Sequence, residues 1–500
     1  MANELQFRST VVAIKKEVTQ NTIVAPTAAT NFLPILGDFD VSASFDVITS
    51  EEVLNSIGEP KPTLGFENPT AAISLYLKHS GVEGQAPNWA PLLESLLGAT
   101  STAAAEYNTI AASTTSLVKV DVGEGASYER GEALLVKDGT NGYAIRNIAS
   151  ITGDDLTLAQ NLAFAPAVGV NLGKSLLYKP ANTGHPSLTV WDYHSNGGAK
   201  QVVGGARVVS MAASIAAGGA IQGNFSLEGV EFYFDPFIIS ATNKFIDFND
   251  GGVKVASVPV GTYKDPYSLA AAIQTAMDSI SSDTIICVYS DVTRMFTIAS
   301  NGIAFSILWL TGANTANAIH TTIGFSAAAD DAAALTYTSD VAVTFTAPFT
   351  PTYDSVDINV AKDNQVLLGA AGDISCFRAK TLNINVGHDH TKVDDICATS
   401  GRSGSLFTKR TVTIDVVSYL ELGQAEEFKK FRANDAVIFT FNFGKKVGGN
   451  WLPGTVGNIH MPTATISSFK IGNDGGIVTL EMQLKGYVSG GLDEIYFNWL

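Results

Sequence analysis

The order of elements repeats along this chain, and that repetition limits the available folds more than any single motif does. A strand-like stretch, LGDFDVSASFDV (36–47), leads through a connection to a second, PTAAISLYLKHS (69–80), and then to an amphipathic helix, APNWAPLLESLLGA (86–99). The strand SLTVWDYHSN (187–196) and a hairpin over 206–230 complete the set. From residue 374 the order returns: ISCFRAKTLNINVG (374–387), a connection, TKRTVTIDVVSYL (408–420), a short charged helix over 423–434, DAVIFTFNFG (435–444), and strands over 459–471 and 476–488. Both connections, 48–67 and 388–407, span 20 residues. Equal order and spacing with negligible identity point to two structural units of one kind.

Within each unit the strands alternate strictly. Val209, Met211, Ala213 and Ile215 share one face; past a Gly218-Gly219 turn, Ile221, Phe225 and Leu227 alternate with Gln222, Asn224, Ser226 and Glu228. In the second unit Thr411, Thr413 and Asp415 oppose Val412, Ile414 and Val416, while Thr479, Glu481 and Gln483 oppose Val478, Leu480 and Met482. Such a period of two gives sheets with one apolar and one wet face. Helices are few. In 86–99, Asn88 is the expected N-cap and Gly98 the stop, and Asp265 followed by Pro266 starts another helix over 264–280. The expected fold class is mainly β: a first unit over 1–112 and 181–240 and a second over 341–500, each with one flanking helix. A small β-barrel insertion (113–180) and a small α+β insertion (241–340) interrupt them, and both are expected to project outward as independent grafts.

Charge excludes several functions. Thirty-one basic against 48 acidic residues leave −17, a surface that repels nucleic-acid phosphates and anionic lipid. Three cysteines without a CxxC pair fit a protein made in a reducing cytosol, and no apolar signal-peptide core is visible near Met1. The long charge-free run 208–227 is too rich in Ser, Gly, Gln and Asn to span a membrane.

The densest chemistry lies in INVGHDHTKVDDICATSGRSGSLFTKR (384–410), where His388, Asp389, His390, Asp394, Asp395 and Cys397 crowd ten positions. The residue types suit a metal, but the spacing matches no HExxH-like pattern, so a solvated loop without metal is the expectation. Gly173-Lys174-Ser175 lacks the upstream glycine of a phosphate loop, and no GxSxG is present. Neither an enzyme nor a cofactor is expected.

The stretches KKEVTQNTIVAPTAATNFLPIL, HSGVEGQAPNWAPLLESLLGA and PTATISSFKIGNDGGIVTLEMQLKGYVSGGLDEIYFNWL carry a likeness. Over roughly 1–110, 185–235 and 345–500 the chain resembles tail tube proteins of long-tailed bacteriophages, and 241–340 is similar to modules decorating phage structural proteins. The resemblance implies a β-sandwich or half-barrel flanked by a helix, in rings stacked into a hollow virion tube that conducts DNA into the host. Members usually carry one unit and form hexameric rings; two units imply a trimer, with a hexamer as runner-up. It further implies partners in a tape measure protein and tail tip or terminator proteins, with genomic DNA passing unbound and no membrane. The lumen would be lined by Gln222, Asn224, Ser226, Glu228, Thr411, Thr413, Asp415, Thr479, Glu481 and Gln483, and would be acidic. The two connections would be ring-stacking loops, using Glu51, Glu52 and Lys61 in one and His388, Asp389, His390, Asp394 and Asp395 in the other. The alternative is a decoration or receptor- and carbohydrate-binding protein.

Overall fold

The computed structural model describes residues 9–500 except 38, 53–57, 103–104, 196, 353–355, 371, 373–375, 399–400 and 422–424. The expected strand start at 374 and helix start at 423 fall outside the described residues. Among the described residues, sixteen strands build one large sheet system. The first half supplies β1 (Val11–Lys16), β2 (Asp40–Ile48), β3 (Thr63–Tyr76), β4 (Gly98–Thr102), β5 (Leu176–Pro180), β6 (Leu188–His194), β7 (Ala199–Ala216), β8 (Gln222–Glu228) and β9 (Glu231–Phe234). The second supplies β10 (Gln365–Gly369), β11 (Ala379–Asp394), β12 (Arg402–Tyr419), β13 (Val437–Val447), β14 (Asn450–Asp474), β15 (Ile477–Gly486) and β16 (Tyr496–Trp499). Among the described residues four α-helices accompany them: α1 (Ala90–Leu97), α2 (Pro266–Asp278), the single turn α3 (His320–Ile323) and α4 (Ala425–Ala433).

The halves repeat one pattern of strand pairing. Asp40↔Ala72 to Phe45↔Glu67, then Val47↔Leu64, in β2–β3 recurs 343 positions later as Asn383↔Asp415 to His388↔Arg410, then His390↔Phe407, in β11–β12. Leu188↔Ala206 and Val190↔Val203, with a bulge between, recur as Val437↔Ala464 and Phe439↔Met461, again with a bulge. The β7–β8 bulge between Val208 and Ser210 recurs between Ile466 and Ser468 in β14–β15. A one-residue slip would turn every apolar side chain outward, so matching registers mean matching faces. The connection between equivalent positions is also the same length, Ile48 to Thr63 and Thr391 to Leu406.

The apolar faces of both halves pack into one core, from Ile73, Leu75, Met211, Phe225 and Leu227 to Ile384, Val412, Ile414, Leu480 and Met482. α1 lies on this core with Leu92, Leu93, Leu96 and Leu97 fully buried. It is shorter than expected, with Trp89 rather than Asn88 at the N-cap; Gly98 ends it in the left-handed region, φ 96°. α2 starts as expected, the Asp265 side chain accepting from the Ser268 N–H.

The inserted segments have cores of their own, one around Val118, Leu134, Val136 and Leu156, the other around Ile246, Ile273, Phe296 and Trp309. The first is not the independent graft expected of 113–180. Its Ala133, Leu135 and Ile145 pack on Trp451, Val456 and Leu500 of the second half. β5, within that segment, also pairs with both β4 and β16. The second module is tied down more lightly, by Arg294 donating to the Gly197 carbonyl at 2.9 Å and by Lys264 3.2 Å from Glu67.

Candidate assembly surface

The halves join where β7 pairs with β11, Ser210↔Gly387 to Ala216↔Thr381. The joint is closed on its apolar side by the end of α1. His388 Nε2 donates to the Leu96 carbonyl at 2.7 Å, and its ring stacks on Phe407 at 4.3 Å. His185, held between the Ser95 and Ala181 carbonyls, meets both rings edge-on. Burial pushes the His388 imidazole down to about 4, against the pull of the Leu96 carbonyl, and lowers His185 as well.

The opposite face is continuous and polar across β2-β3-β8-β7-β11-β12-β15-β14. Asn224, Ser226 and Thr411 are exposed and Gln222, Glu228, Thr413, Asp415, Glu481 and Gln483 half-buried, all on this face. Thr479 departs from expectation: it is buried, lying between its cross-strand neighbours Tyr419 and Gly472. Val478, expected in the core, is instead exposed, as is Ile471 on the neighbouring open strand β14. Nor is the face uniformly acidic. Glu481 pairs with Lys470 at 2.9 Å, Asp415 accepts from Gln483 at 2.9 Å, and Lys485 is exposed alongside. Glu228 meets His390 at 3.0 Å and Lys392 at 3.2 Å; the His390 side chain, with the Lys392 ammonium, holds its carboxyl below the usual range despite burial.

The second connection is not the loop expected. β11 continues through Asp394 and β12 begins at Arg402, so His388, Asp389, His390 and Asp394 sit on a strand and Asp395 opens the turn. A bulge after Asp389 moves His390 and Lys392 onto the polar face, toward Glu228. His388 points the other way, into the joint, so the crowded cluster disperses. Glu51, Glu52 and Lys61 lie exposed in the first connection, which carries no strand at those positions. Sequence reasoning passed over Arg402, which is nearly buried. It reaches back to the first half, donating to the Glu67 carbonyl at 2.8 Å and to the Asn68 side chain, over the Phe66 ring. Its signal was present: a lone arginine in a Gly-Ser stretch between two strands.

Two edges of the polar sheet stay open. β2 pairs only with β3, and β14 from Thr465 to Asp474 pairs only with β15, among the described residues. Matching registers make β14 the equivalent of β7, and β2 the equivalent of β11. The open edges are thus the two sides of the joint that β7 and β11 close inside the chain.

The family described as phage tail tube protein matches residues 8–264, more than half of the chain. This chain belongs to that family. Its role is therefore that of a structural tail tube protein, a virion component, and the family is not one of enzymes. The SPP1 tail tube, solved by solid-state NMR and cryo-EM, is similar at 16% identity with a TM-score of 0.21, covering 28% of this tail tube protein and 77% of that chain. No curated protein matches. Among the described residues, no helix is long and apolar enough to cross a membrane.

Proposed function

We propose that three copies of this tail tube protein close into a ring, each contributing two equivalent units, and that the rings stack into a tube that conducts the genome. One observation carries this reading: the joint between β7 and β11 is made within the chain, while its equivalent partners, β14 and β2, are both left open. Eight strands, each antiparallel to the next, run from β2 to β14. An even number leaves β2 of the next copy antiparallel to β14, so the pattern continues around a closed ring. Closure removes both edges, which would otherwise invite unplanned pairing. The insertions lie outside this set of strands.

The polar face then lines the lumen. Hydroxyls, amides and paired charges offer phosphates no row of cations, so passing DNA releases no counterions and is not held. The expected partners are a tape measure protein inside the tube and tip and terminator proteins at its ends, met after synthesis in the host cytoplasm. Negative-stain microscopy of the purified protein tests the reading. Hollow tubes of stacked rings are expected; a protein that stays monomeric at high concentration and binds glycans would overturn it.

A further inference from the structure

We infer that ring closure sets Ser468 of β14 opposite Ser44 of β2 in the next copy, with α4 lying over the joint, an assignment that rests on the ring reading above. The joint inside the chain supplies the register. Ser210 and Gly387 are partners across β7–β11. The bulges make Ser468 the equivalent of Ser210, and the β2–β3 pairing makes Ser44 the equivalent of Gly387. The following pairs are Lys470 with Ser42 and Gly472 with Asp40 on the polar side, and Phe469 with Ala43 and Ile471 with Val41 on the apolar side.

Exposure in the single chain marks the same surfaces. Ala213 and Ile221 are 1% and 0% exposed at the closed joint, whereas their equivalents Ile471 and Val478 are 58% and 45% exposed. Phe45 and Leu64, equivalents of the stacked His388 and Phe407, are likewise exposed. α4 already packs Phe428 and Phe431 on Phe469, one strand from where Phe45 would arrive. It stands to that edge as α1 stands to β7. Burying such side chains at a joint favours association by roughly 25 cal/mol per Å² of apolar surface.

Charge distinguishes the two joints. Inside the chain Lys392 and Arg402, two cations of a hairpin tip that also carries Asp394 and Asp395, rest on Glu228, Asn68 and the Phe66 ring, with Arg402 3.3 Å from Asp394 as well. At the equivalent positions between copies the signs reverse: Glu59 replaces Arg402, Lys485 replaces Glu228 and Lys409 replaces Phe66. Glu59, Lys409 and Lys485 are exposed and form no ion pair among the described residues. A tip placed on the wrong base would therefore meet like charge, which keeps the two kinds of unit alternating around the ring.

Disulfide trapping tests the register, since directly opposed residues on antiparallel strands fall within disulfide reach. In full-length protein with Cys376→Ser and Cys397→Ser, the pair Ser44→Cys and Ser468→Cys is oxidised in assembled tubes and run without reductant. Covalent dimers and closed trimers are expected, several-fold more than from Ser42→Cys with Ser468→Cys. Tubes that crosslink better through the shifted pair would overturn the register and leave the ring reading standing. Wild-type protein that forms no tubes would overturn both. As an independent measurement, Glu59→Lys is expected to weaken assembly and Lys409→Glu on the same chain to restore it; equal assembly by all three proteins would overturn the charge pairing.

Discussion

Asn147 of the segment between α1 and β5 and Asn458 of β14 exchange two side-chain hydrogen bonds, at 2.8 and 3.0 Å. Asn458 also donates to Asn442 at 2.6 Å and accepts from Asn498 at 2.9 Å, and all four amides are buried. Through them the segment is anchored in the second half. Asn458→Leu leaves the other three amides short of partners, a cost of about 1–3 kcal/mol for each group orphaned. Urea unfolding should show the midpoint falling, and a double-mutant cycle with Asn147→Ala should show coupling between the two sites. Additive effects would mean that these amides do not hold the segment.

The joint inside the chain should weaken in acid. His388 is held neutral in the folded protein by burial, beside His185, Arg410 and Asp389, with a folded pKa of about 4 against an ordinary 6.5. Between those values the unfolded chain binds the extra proton, so this contribution is intact above pH 6.5 and is lost as pH falls toward 4. His388→Phe, copying its equivalent Phe45, is expected to flatten the dependence of melting temperature on pH across that window. An unchanged slope would contradict the assignment.

Glu132 should act in the opposite sense. Burial raises its carboxyl to about 7, even though Ser175 and the Glu129 N–H both donate to it. Between 4.5 and 7 the folded chain binds the extra proton, so this contribution is present at low pH and fades as pH rises through 7. Glu132→Gln keeps the acceptor oxygen without the charge. Its stability relative to wild type should rise from pH 5 to pH 8; a constant difference would count against a buried, protonated Glu132.

On the proposed reading, lysines on the polar face of β8 should trouble the DNA rather than the tube. Asn224 and Ser226 are exposed and make no ion pair among the described residues, so Asn224→Lys with Ser226→Lys should leave assembly intact. Cations there would exchange counterions with passing phosphates, slowing ejection at low salt and less so at high salt. Virions that eject at wild-type rate at every salt concentration would place this face away from the lumen.

The alternation of strands and the repeated order of elements were legible because burial acts on each strand separately: Phe225 and Leu227 must face inward wherever the strand lies. Thr479 and Val478 escaped the same rule because their exposure depends on the neighbouring strand, Tyr419 covering one and an open edge baring the other. His388, Asp389 and His390 stand where a strand ends by sequence and a stretch begins whose polar density usually marks a loop. In fact a bulge splits them between two faces, and the bulge shows only in the pairing. The joint itself was illegible, because its partners lie some 170 residues apart and only matching registers reveal that one joint is made and its twin is open.

Ring symmetry tests the central claim most directly. End-on class averages of purified tubes by cryo-EM, with the number of chains per ring counted from the map, should show threefold rings of three chains. Each ring should hold 24 lumen strands, eight per chain as in the single molecule, with three copies of each insertion. Six chains per ring under true sixfold symmetry, or lumen strands that leave β2 and β14 unpaired, would contradict it.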